Sequence, residues 1–285
     1  MAVPVKSRSR SVDTETIESI ELDLLLDAVF RLYGYDFRDY AKTSMRRRIA
    51  NIMKKEEVST ISALQDRVLH DSRSWERFLG GISVNVSAMF RDPGFFLAFR
   101  QYAVPVLRTY PFIRIWQAGC SLGEEAYSLA IMLEEEGLYD RSLIYATDIN
   151  EVSLRQAREA IYPAELMQKY TQNYVQAGGQ QSFSEYYTAR YDFAILRPTL
   201  QRNIVFSQHN LVSDAPFNEF NVILCRNVMI YFNRGLQERT HNLFHESLAM
   251  FGILGLGSRE SLRFMPHEHM YEPLVPGEKL YRRMV

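Results

Sequence analysis

Residues 114–132 read RIWQAGCSLGEEAYSLAIM, a stretch that combines glycines, carboxylates and an amphipathic helix. Gly119 and Gly123 predict a sharp turn after an apolar strand, because a backbone without Cβ atoms bends freely and lets a ligand approach. Glu124 and Glu125 stand at the start of the following helix. A strand, turn and helix of this kind predict a binding site for a small molecule.

Two kinds of enzyme use this arrangement. In Rossmann-like domains the helix N-terminus faces a nucleotide, and an acidic residue after the next strand binds the ribose. In this sequence the strand LIYATDI supplies Asp148 for that role. The alternative is that Asp148 only caps the following helix. The turn also has the form G-x-S-x-G, the nucleophile elbow of α/β-hydrolases, with Ser121 as nucleophile and Asp214 and His267 or His269 as partners. The sequence has no HGGG-like segment upstream to complete an oxyanion hole, so the hydrolase is the weaker alternative.

Polar residues also follow two later apolar strands. Asn210 follows IVFSQH, where its amide and the backbone N–H of Leu211 suit an adenine edge. Arg226, Asn227 and Tyr231 follow FNVILC. Polar groups at strand ends are stable only when something satisfies them, which indicates a bound substrate.

The composition is that of a globular protein with one large or two modest domains: 285 residues, 47% hydrophobic and 24% charged. A formal net charge of -1 argues against wholesale nucleic-acid binding. The chain has no apolar run of transmembrane length and no apolar signal core near its start, so we expect a cytoplasmic protein. Two cysteines cannot form a disulfide framework, and we expect both to be reduced and buried.

The chain changes character near residue 112. We expect a disordered tail over residues 1–11 and a helical domain over residues 12–84, in which apolar residues recur at three- and four-residue steps. These residues are Ile17, Ile20, Leu24, Leu25 and Ala28, and again Met45, Ile49, Ile52 and Met53. Beyond residue 112, strands alternate with helices and predict an α/β fold with a mostly parallel sheet. Residues 163–202, rich in Gln, Tyr and Ser, predict short antiparallel strands or a mobile flap.

Several segments resemble the CheR family, the S-adenosylmethionine-dependent chemotaxis receptor glutamate methyltransferases. They are RIWQAGCSLGEEAYSLAI, ATDIN, HNL, LCRNVMIYF, VNVSAMFRDPGFF, SMRRRIANIM and GILGLGSRESL. The resemblance implies a Rossmann-like methyltransferase domain over residues 112–285, a linker at 85–111 that contributes to the cofactor site, and a small inserted β-subdomain within 163–202. It also implies the small all-helical domain before them.

The resemblance assigns roles to particular positions. Arg91 and Tyr231 are the expected catalytic residues, with the arginine beside the reacting methyl group. The expected cofactor-binding residues are Asn85, Ser87, Arg91, Gly119, Glu125, Asp148, Asn210, Leu211, Arg226 and Asn227. Ser87 replaces the usual Thr of the family's N-x-T-x-F-F-R motif and keeps its hydroxyl, while Ala126 replaces the Pro of GEEPY. The expected cofactor is S-adenosylmethionine, leaving S-adenosylhomocysteine, and no metal is required.

A basic helix over residues 41–55 is the expected partner surface. It holds six Lys and Arg residues and no acidic residue before position 56. The resemblance implies that Arg46, Arg47 and Arg48 face acidic chemoreceptor helices and steer the encounter. An ordinary solvated face is the alternative, and nucleic-acid binding lacks accompanying aromatic stacking residues.

The implied reaction is methyl transfer to glutamate side chains of chemoreceptor cytoplasmic domains by a monomeric enzyme in chemotaxis adaptation or a related signalling pathway. A non-catalytic module that binds S-adenosylmethionine is the first alternative. A serine hydrolase that uses Ser121 is the second.

Overall fold

The computed structural model describes residues 13–83 and 87–285, which form two compact units. One unit joins the chain up to Arg38 with Lys42–Ile82, and the other joins Asp39–Ala41 with the chain from Ser83 onward. The expected tail over residues 1–11 and the cofactor residue Asn85 lie outside the described residues.

The first unit is all-helical, as predicted. Its helices are α1 (Thr14–Tyr33), α2 (Lys42–Glu56), α3 (Ile61–His70) and α4 (Ser72–Ile82). The α1 helix is capped at its C-terminus by Gly34, which adopts a φ of 77° and donates its N–H to the Phe30 carbonyl. The buried face of α1 consists of Leu22, Leu25, Leu26 and Val29, so three residues of the apolar repeat, Ile17, Ile20 and Leu24, are instead exposed.

The second unit is an α/β domain. Its strands are β1 (Ile113–Ala118), β2 (Ser142–Asp148), β3 (Ile161–Pro163), β4 (Tyr187–Arg190), β5 (Phe193–Leu196), β6 (Ile204–Gln208), β7 (Phe220–Cys225), β8 (Leu248–Leu256), β9 (Tyr271–Pro273) and β10 (Leu280–Arg283). Its helices are α5 (Pro93–Ala98), α6 (Val104–Leu107), α7 (Glu124–Glu135), α8 (Glu151–Glu159), α9 (Met167–Gln176) and α10 (Arg234–Ser247). A π-helical turn, Phe99–Ala103, joins α5 to α6.

The main sheet has seven strands in the order β6-β2-β1-β7-β8-β10-β9. The first five run parallel, and β10 and β9 add an antiparallel edge. The mostly parallel sheet is therefore confirmed. The chain proceeds outward from β1 to β2 and β6, and then returns to the other side of β1 as β7. Ligands of open parallel sheets bind at such a reversal, beyond the carboxyl ends of the strands.

The segment after α8 forms a small three-stranded antiparallel sheet in the order β3-β5-β4. This confirms the inserted β-subdomain and shows that it starts at Ile161, with α9 between its first two strands. In the main sheet, β1 and β7 are almost entirely buried, which explains their near-continuous apolar sequences. Cys120 and Cys225 are both free and buried, as expected. No helix within the described ranges is long and apolar enough to cross a membrane.

Candidate functional site

The turn between β1 and α7 depends on its two glycines for local packing. Gly119 has a φ of 76° and Gly123 a φ of 88°, values that L side chains rarely adopt. A Cβ on Gly119 would lie 2.3 Å from Val228 Cγ2, and one on Gly123 would lie 3.0 Å from the Cβ of Ala157. The glycines therefore let neighbouring protein segments approach, and a direct contact of Gly119 with a cofactor stays a prediction.

Asp148 ends β2 beside this turn. Its carboxylate accepts hydrogen bonds from the backbone N–H groups of Ser121 and Asn150, at 2.8 and 2.9 Å. Burial raises the pKa of Asp148, and the backbone donors offset part of that rise. Asn150 caps α8 by accepting from the Val152 N–H, so the alternative role of Asp148 as the helix cap is wrong. Asp148 instead fixes the turn after β1, in the position expected of a ribose ligand.

Arg226 follows β7 and links three parts of the site. Its Nη1 lies 2.7 Å from Glu125 Oε2, and its Nη2 lies 3.0 Å from both Asp92 Oδ2 and the Arg91 carbonyl oxygen. The guanidinium also stacks on the Phe95 ring, 4.1 Å from its centroid. Since the side chain is only 1% exposed, Arg226 is a buried tie between α7 and the segment that carries Arg91.

Glu260 is a site residue that the sequence analysis missed. Its carboxylate accepts hydrogen bonds from the backbone N–H groups of Gly257, Asn227, Val228 and Met229, at 2.6 to 3.0 Å. Burial raises its pKa, although the four donors act in the opposite direction. Glu260 thus shapes the loop after β7. Its signal in the sequence was an acidic residue three positions after a glycine that follows an apolar strand.

Arg91 lies in a loop that several elements hold in place. Phe90 donates its N–H to Ser128 Oγ on α7 at 2.9 Å, and Asn173 on α9 donates to the Met89 carbonyl at 2.9 Å. The residues on both sides of Arg91 are left-handed, with φ of 51° at Phe90 and 54° at Asp92. Such conformations cost about 1 to 3 kcal/mol each and persist only where the surroundings impose them.

Glu124, the first residue of α7, is a second site residue that the sequence analysis did not assign a role. Its carboxylate is hydrogen-bonded by the Ser87 side chain, and Tyr170 Oη approaches it at 3.5 Å. Burial raises the pKa of Glu124 to about 7. The side chain therefore connects α7, the Arg91 loop and α9 at a point where its charge changes near neutral pH.

A cleft of about 370 Å³ opens beside the Arg91 loop. Ser87, Arg91 and Asp92 form one wall, and Lys169 and Asn173 on α9 form another. The volume is in the range of ligand sites. The structure thus brings Ser87 and Arg91 together at one cleft, and it links them through Arg226 to Glu125.

The remaining predicted residues lie at the same end of the sheet. Asn210 follows β6, and its Oδ1 accepts from the Val212 N–H at 3.0 Å, so this oxygen shapes the loop. Leu211 is half-buried against the core. Asn227 has a φ of 63°, and its backbone N–H donates to the Glu260 carboxylate. Tyr231 ends a short 3₁₀ turn after β7. Their contacts with a cofactor or substrate stay predictions.

The basic face of α2 in the helical unit is smaller than predicted. Arg48 is 8% exposed and donates to the Ile82 carbonyl, so its assignment to the partner surface is wrong. It lies on the same side of the helix as Met45 and Ile49, which are also buried. Arg46 pairs with an α1 carboxylate, and the exposed cations are those at 42, 47, 54 and 55.

In the described part of the chain, the histidine that the hydrolase alternative requires is separated from Ser121 by several strands of the sheet. Ser121 follows β1 in the middle of the sheet, and its backbone N–H donates to Asp148. Asp214 is hydrogen-bonded within the loop that starts at Asn210. His267 precedes β9 at the sheet edge and stacks on the His245 ring at 4.1 Å. Three strands therefore separate β1 from the strand that follows the histidine.

The buried acceptors of the site suit a cofactor that carries hydroxyl and ammonium groups. Glu125 Oε1 is buried and has no hydrogen-bond partner in the part of the chain that the structure describes. Such an orphaned acceptor costs free energy unless a ligand donates to it. Asp148, at the end of β2, offers further acceptor capacity. Within residues 13–83 and 87–285, no group of three or more His, Cys, Asp or Glu side chains is arranged to hold a metal ion.

The chain is similar to known methyltransferases over most of its length. A family model described as CheR methyltransferase, SAM binding domain, matches residues 85–275, and one described as CheR methyltransferase, all-alpha domain, matches residues 20–83. The putative methyltransferase Cher3 of Pseudomonas putida is 48% identical over 270 residues, covering 95% of this chain and 99% of that protein. A chemotaxis protein methyltransferase of Listeria monocytogenes is 30% identical over 250 residues, covering 86% and 92%.

Among solved structures, the chain is similar to a SAM-dependent methyltransferase from Geobacter sulfurreducens in complex with S-adenosyl-L-homocysteine. It is 13% identical, with a TM-score of 0.34, and the match covers 60% of this chain and 49% of that chain.

Proposed function

Because the chain belongs to the CheR methyltransferase family, we propose that it transfers the methyl group of S-adenosylmethionine to glutamate side chains of chemoreceptors. The products are glutamate 5-O-methyl esters and S-adenosylhomocysteine. We place this reaction in the cytoplasm, on receptor cytoplasmic domains, as a step of chemotaxis adaptation or a related signalling pathway. The observation that carries the proposal is the restrained Arg91 in the wall of a cleft, in a loop that Arg226 links to Glu125 on α7.

Three groups of residues hold the cofactor in this proposal. Glu125 accepts from its ammonium group through the orphaned Oε1, and Asp148 accepts from the ribose hydroxyls. Asn210 and the Leu211 backbone meet the adenine edge. When bound, S-adenosylmethionine supplies a methyl group on a positively charged sulfur, which makes that carbon electrophilic.

The protein has little proton chemistry to do. A glutamate side chain is ionised at neutral pH and already holds the lone pair that attacks the methyl carbon. The new bond joins this oxygen to the methyl carbon, the carbon–sulfur electron pair stays on sulfur, and no proton is released. Catalysis is therefore alignment and exclusion of water. Arg91 orients the acceptor carboxylate by paired hydrogen bonds, and Tyr231 borders the reacting centre.

Arg226 is a positioning residue in this scheme. It holds the Arg91 carbonyl and Asp92 on one side and Glu125 on the other, so it couples the substrate loop to the cofactor side. On the helical unit, Arg47 is an exposed cation of α2 and steers acidic receptor helices.

The test is transfer of a labelled methyl group. The full chain is incubated with methyl-labelled S-adenosylmethionine and a panel of purified chemoreceptor cytoplasmic fragments, and base treatment then releases labelled methanol from any methyl ester. We expect base-labile label on at least one fragment. Its loss when the acceptor Glu is replaced by Gln would identify the acceptor.

Two variants sharpen the result. Arg91→Ala should lower kcat/KM about 100-fold or more while the thermal unfolding of the protein is unchanged, because a charged group that orients the reactants is lost. Ser121→Ala should keep its activity. Tight binding of S-adenosylhomocysteine without transfer to any fragment would instead favour a non-catalytic module, and esterase activity that Ser121→Ala abolishes would favour the hydrolase.

A further inference from the structure

We infer that Lys169 on α9 is a second cationic contact for the acceptor carboxylate, facing Arg91 across the cleft. This inference rests on the proposed function and names the part of the site that distinguishes an ionised acceptor from an amide or an ester. It assigns α9, which lies within the inserted segment, a direct part in acceptor recognition.

The position of Lys169 is fixed by its neighbours on α9. Tyr170 Oη lies 3.5 Å from Glu124 Oε1, and Asn173 Nδ2 lies 2.9 Å from the Met89 carbonyl oxygen. One turn further along, Tyr174 hydrogen-bonds the carboxylate of Glu135 on α7. The helix is thus attached to α7 and to the Arg91 loop, so the base of the Lys169 side chain is held at the wall of the cleft.

The charges around the cleft leave Lys169 available. Its side chain is exposed, and no carboxylate of the described residues forms an ion pair with it. Asp92, the acidic residue in the cleft wall, is paired with the buried Arg226 at 3.0 Å. The cleft therefore presents two cations, Arg91 and Lys169, while the buried Arg226 balances the charge of the Asp92 carboxylate.

A lysine suits this task because its ammonium is a compact charge on a flexible stem. It attracts an ionised carboxylate, while an amide or a methyl ester offers no charge to attract. The same contact therefore favours glutamate over glutamine as acceptor and weakens when the ester has formed. Since it acts on the charge that the reaction removes, it lowers KM for the acceptor and does not raise kcat.

The first experiment measures acceptor kinetics with the receptor fragment that the full chain methylates. Lys169→Gln should raise KM for the fragment about five- to tenfold and leave kcat within about twofold of the wild-type value. This increase lies between the effect of losing an exposed ion pair and that of losing a desolvated charged hydrogen bond. Lys169→Arg should restore most of the affinity. Arg155→Gln on α8, which also removes an exposed cation without an acidic partner among the described residues, is the matched control and should leave KM unchanged.

The second experiment needs no turnover. Binding of glutarate and of its monoamide to the chain loaded with S-adenosylhomocysteine is measured by calorimetry. Wild type should bind glutarate more tightly, and Lys169→Gln should lose most of that preference.

The outcomes separate the two proposals. Methyl transfer with equal KM for wild type and Lys169→Gln overturns the role of Lys169 and leaves the proposed function standing. Absence of transfer, with a glutarate preference that depends on Lys169, overturns the proposed function and supports a cationic cleft that binds carboxylates. Equal binding of glutarate and its monoamide by wild type and variant overturns the role of Lys169 whatever the transfer assay shows.

Discussion

The buried ion pair of Arg226 with Glu125 predicts a large loss of stability when the charge of Arg226 is removed. Arg226 is 1% exposed and Glu125 is 9% exposed, and their side chains are 2.7 Å apart. Removing one partner of a buried ion pair leaves the other charge buried and unpaired, which costs about 3 to 5 kcal/mol. Asp92 is 42% exposed, so its pairing with Arg226 adds no more than about 1 kcal/mol.

Arg226→Met is the appropriate perturbation, because methionine keeps an apolar stem over the Phe95 ring. We expect the free energy of unfolding of the α/β unit, measured by urea denaturation, to fall by about 3 to 5 kcal/mol. The double variant Arg226→Met with Glu125→Gln should recover part of this loss, since the orphaned charge is gone. Asp92→Asn should cost less than about 1 kcal/mol and is well matched, because asparagine tolerates the left-handed φ of this position.

Activity gives a second measurement for the same variants. Arg226→Met removes the donor to the Arg91 carbonyl, so transferase kcat should fall at temperatures where the variant is still folded. A loss of stability below about 1 kcal/mol in Arg226→Met, or an equal loss in Asp92→Asn, would show that the buried pair with Glu125 does not stabilise the site as we argue.

Three further predictions follow from the site and the surface. Gly119→Ala should lower the free energy of unfolding by more than about 2 kcal/mol in urea denaturation, because of its positive φ and its clash with Val228. Gly137 has a similar φ but open space around it, so Gly137→Ala should lower the free energy of unfolding by only about 1 to 2 kcal/mol. Equal losses in the two variants would contradict the packing argument. The pKa of Glu124 is raised to about 7, so the folded state binds more protons than the unfolded state and stability falls as pH rises from about 4.5 to 7. The free energy of unfolding of wild type and Glu124→Gln is measured by urea denaturation at each pH. The variant should lack roughly 3 kcal/mol of the fall seen in wild type, and an identical pH profile of stability in both proteins would refute the prediction. Arg47→Glu should lower kcat/KM for the receptor severalfold, more at low salt, and leave binding of S-adenosylhomocysteine unchanged; an effect that salt does not alter would count against electrostatic steering.

The fold was predictable because its signals are local. Short apolar runs alternating with helical periodicity predict parallel strands and crossover helices, and strands β1, β2, β6, β7 and β8 all formed where those runs occur. Burial was less predictable on the helices. The apolar repeat of α1 predicts a helix correctly, yet Ile17, Ile20 and Leu24 are 46%, 54% and 56% exposed. Periodicity places residues on a shared face, but tertiary packing selects which face is buried.

Charged residues show a second limit. Arg48 stands beside Arg47 in a basic run, and only the packing of α2 against the Ile82 carbonyl distinguishes the buried arginine from the exposed one. Glu260 lies more than thirty residues from the loop after β7 that it holds, and it accepts from backbone N–H groups, which every residue except proline carries. Backbone donors carry no residue identity, so a partner of this kind becomes visible only in the folded chain.

The Arg91 loop combines both limits. Phe90 and Asp92 are left-handed although neither is a glycine, so their residue types do not announce the conformation. The strain persists because separate elements hold the loop, through Ser128 on α7, Asn173 on α9 and Arg226 after β7. Each contact joins residues far apart in the chain, and together they hold the backbone around Arg91, which lines the cleft. The chemistry that a resemblance assigns to one arginine therefore depends on the docking of three elements that no short motif contains.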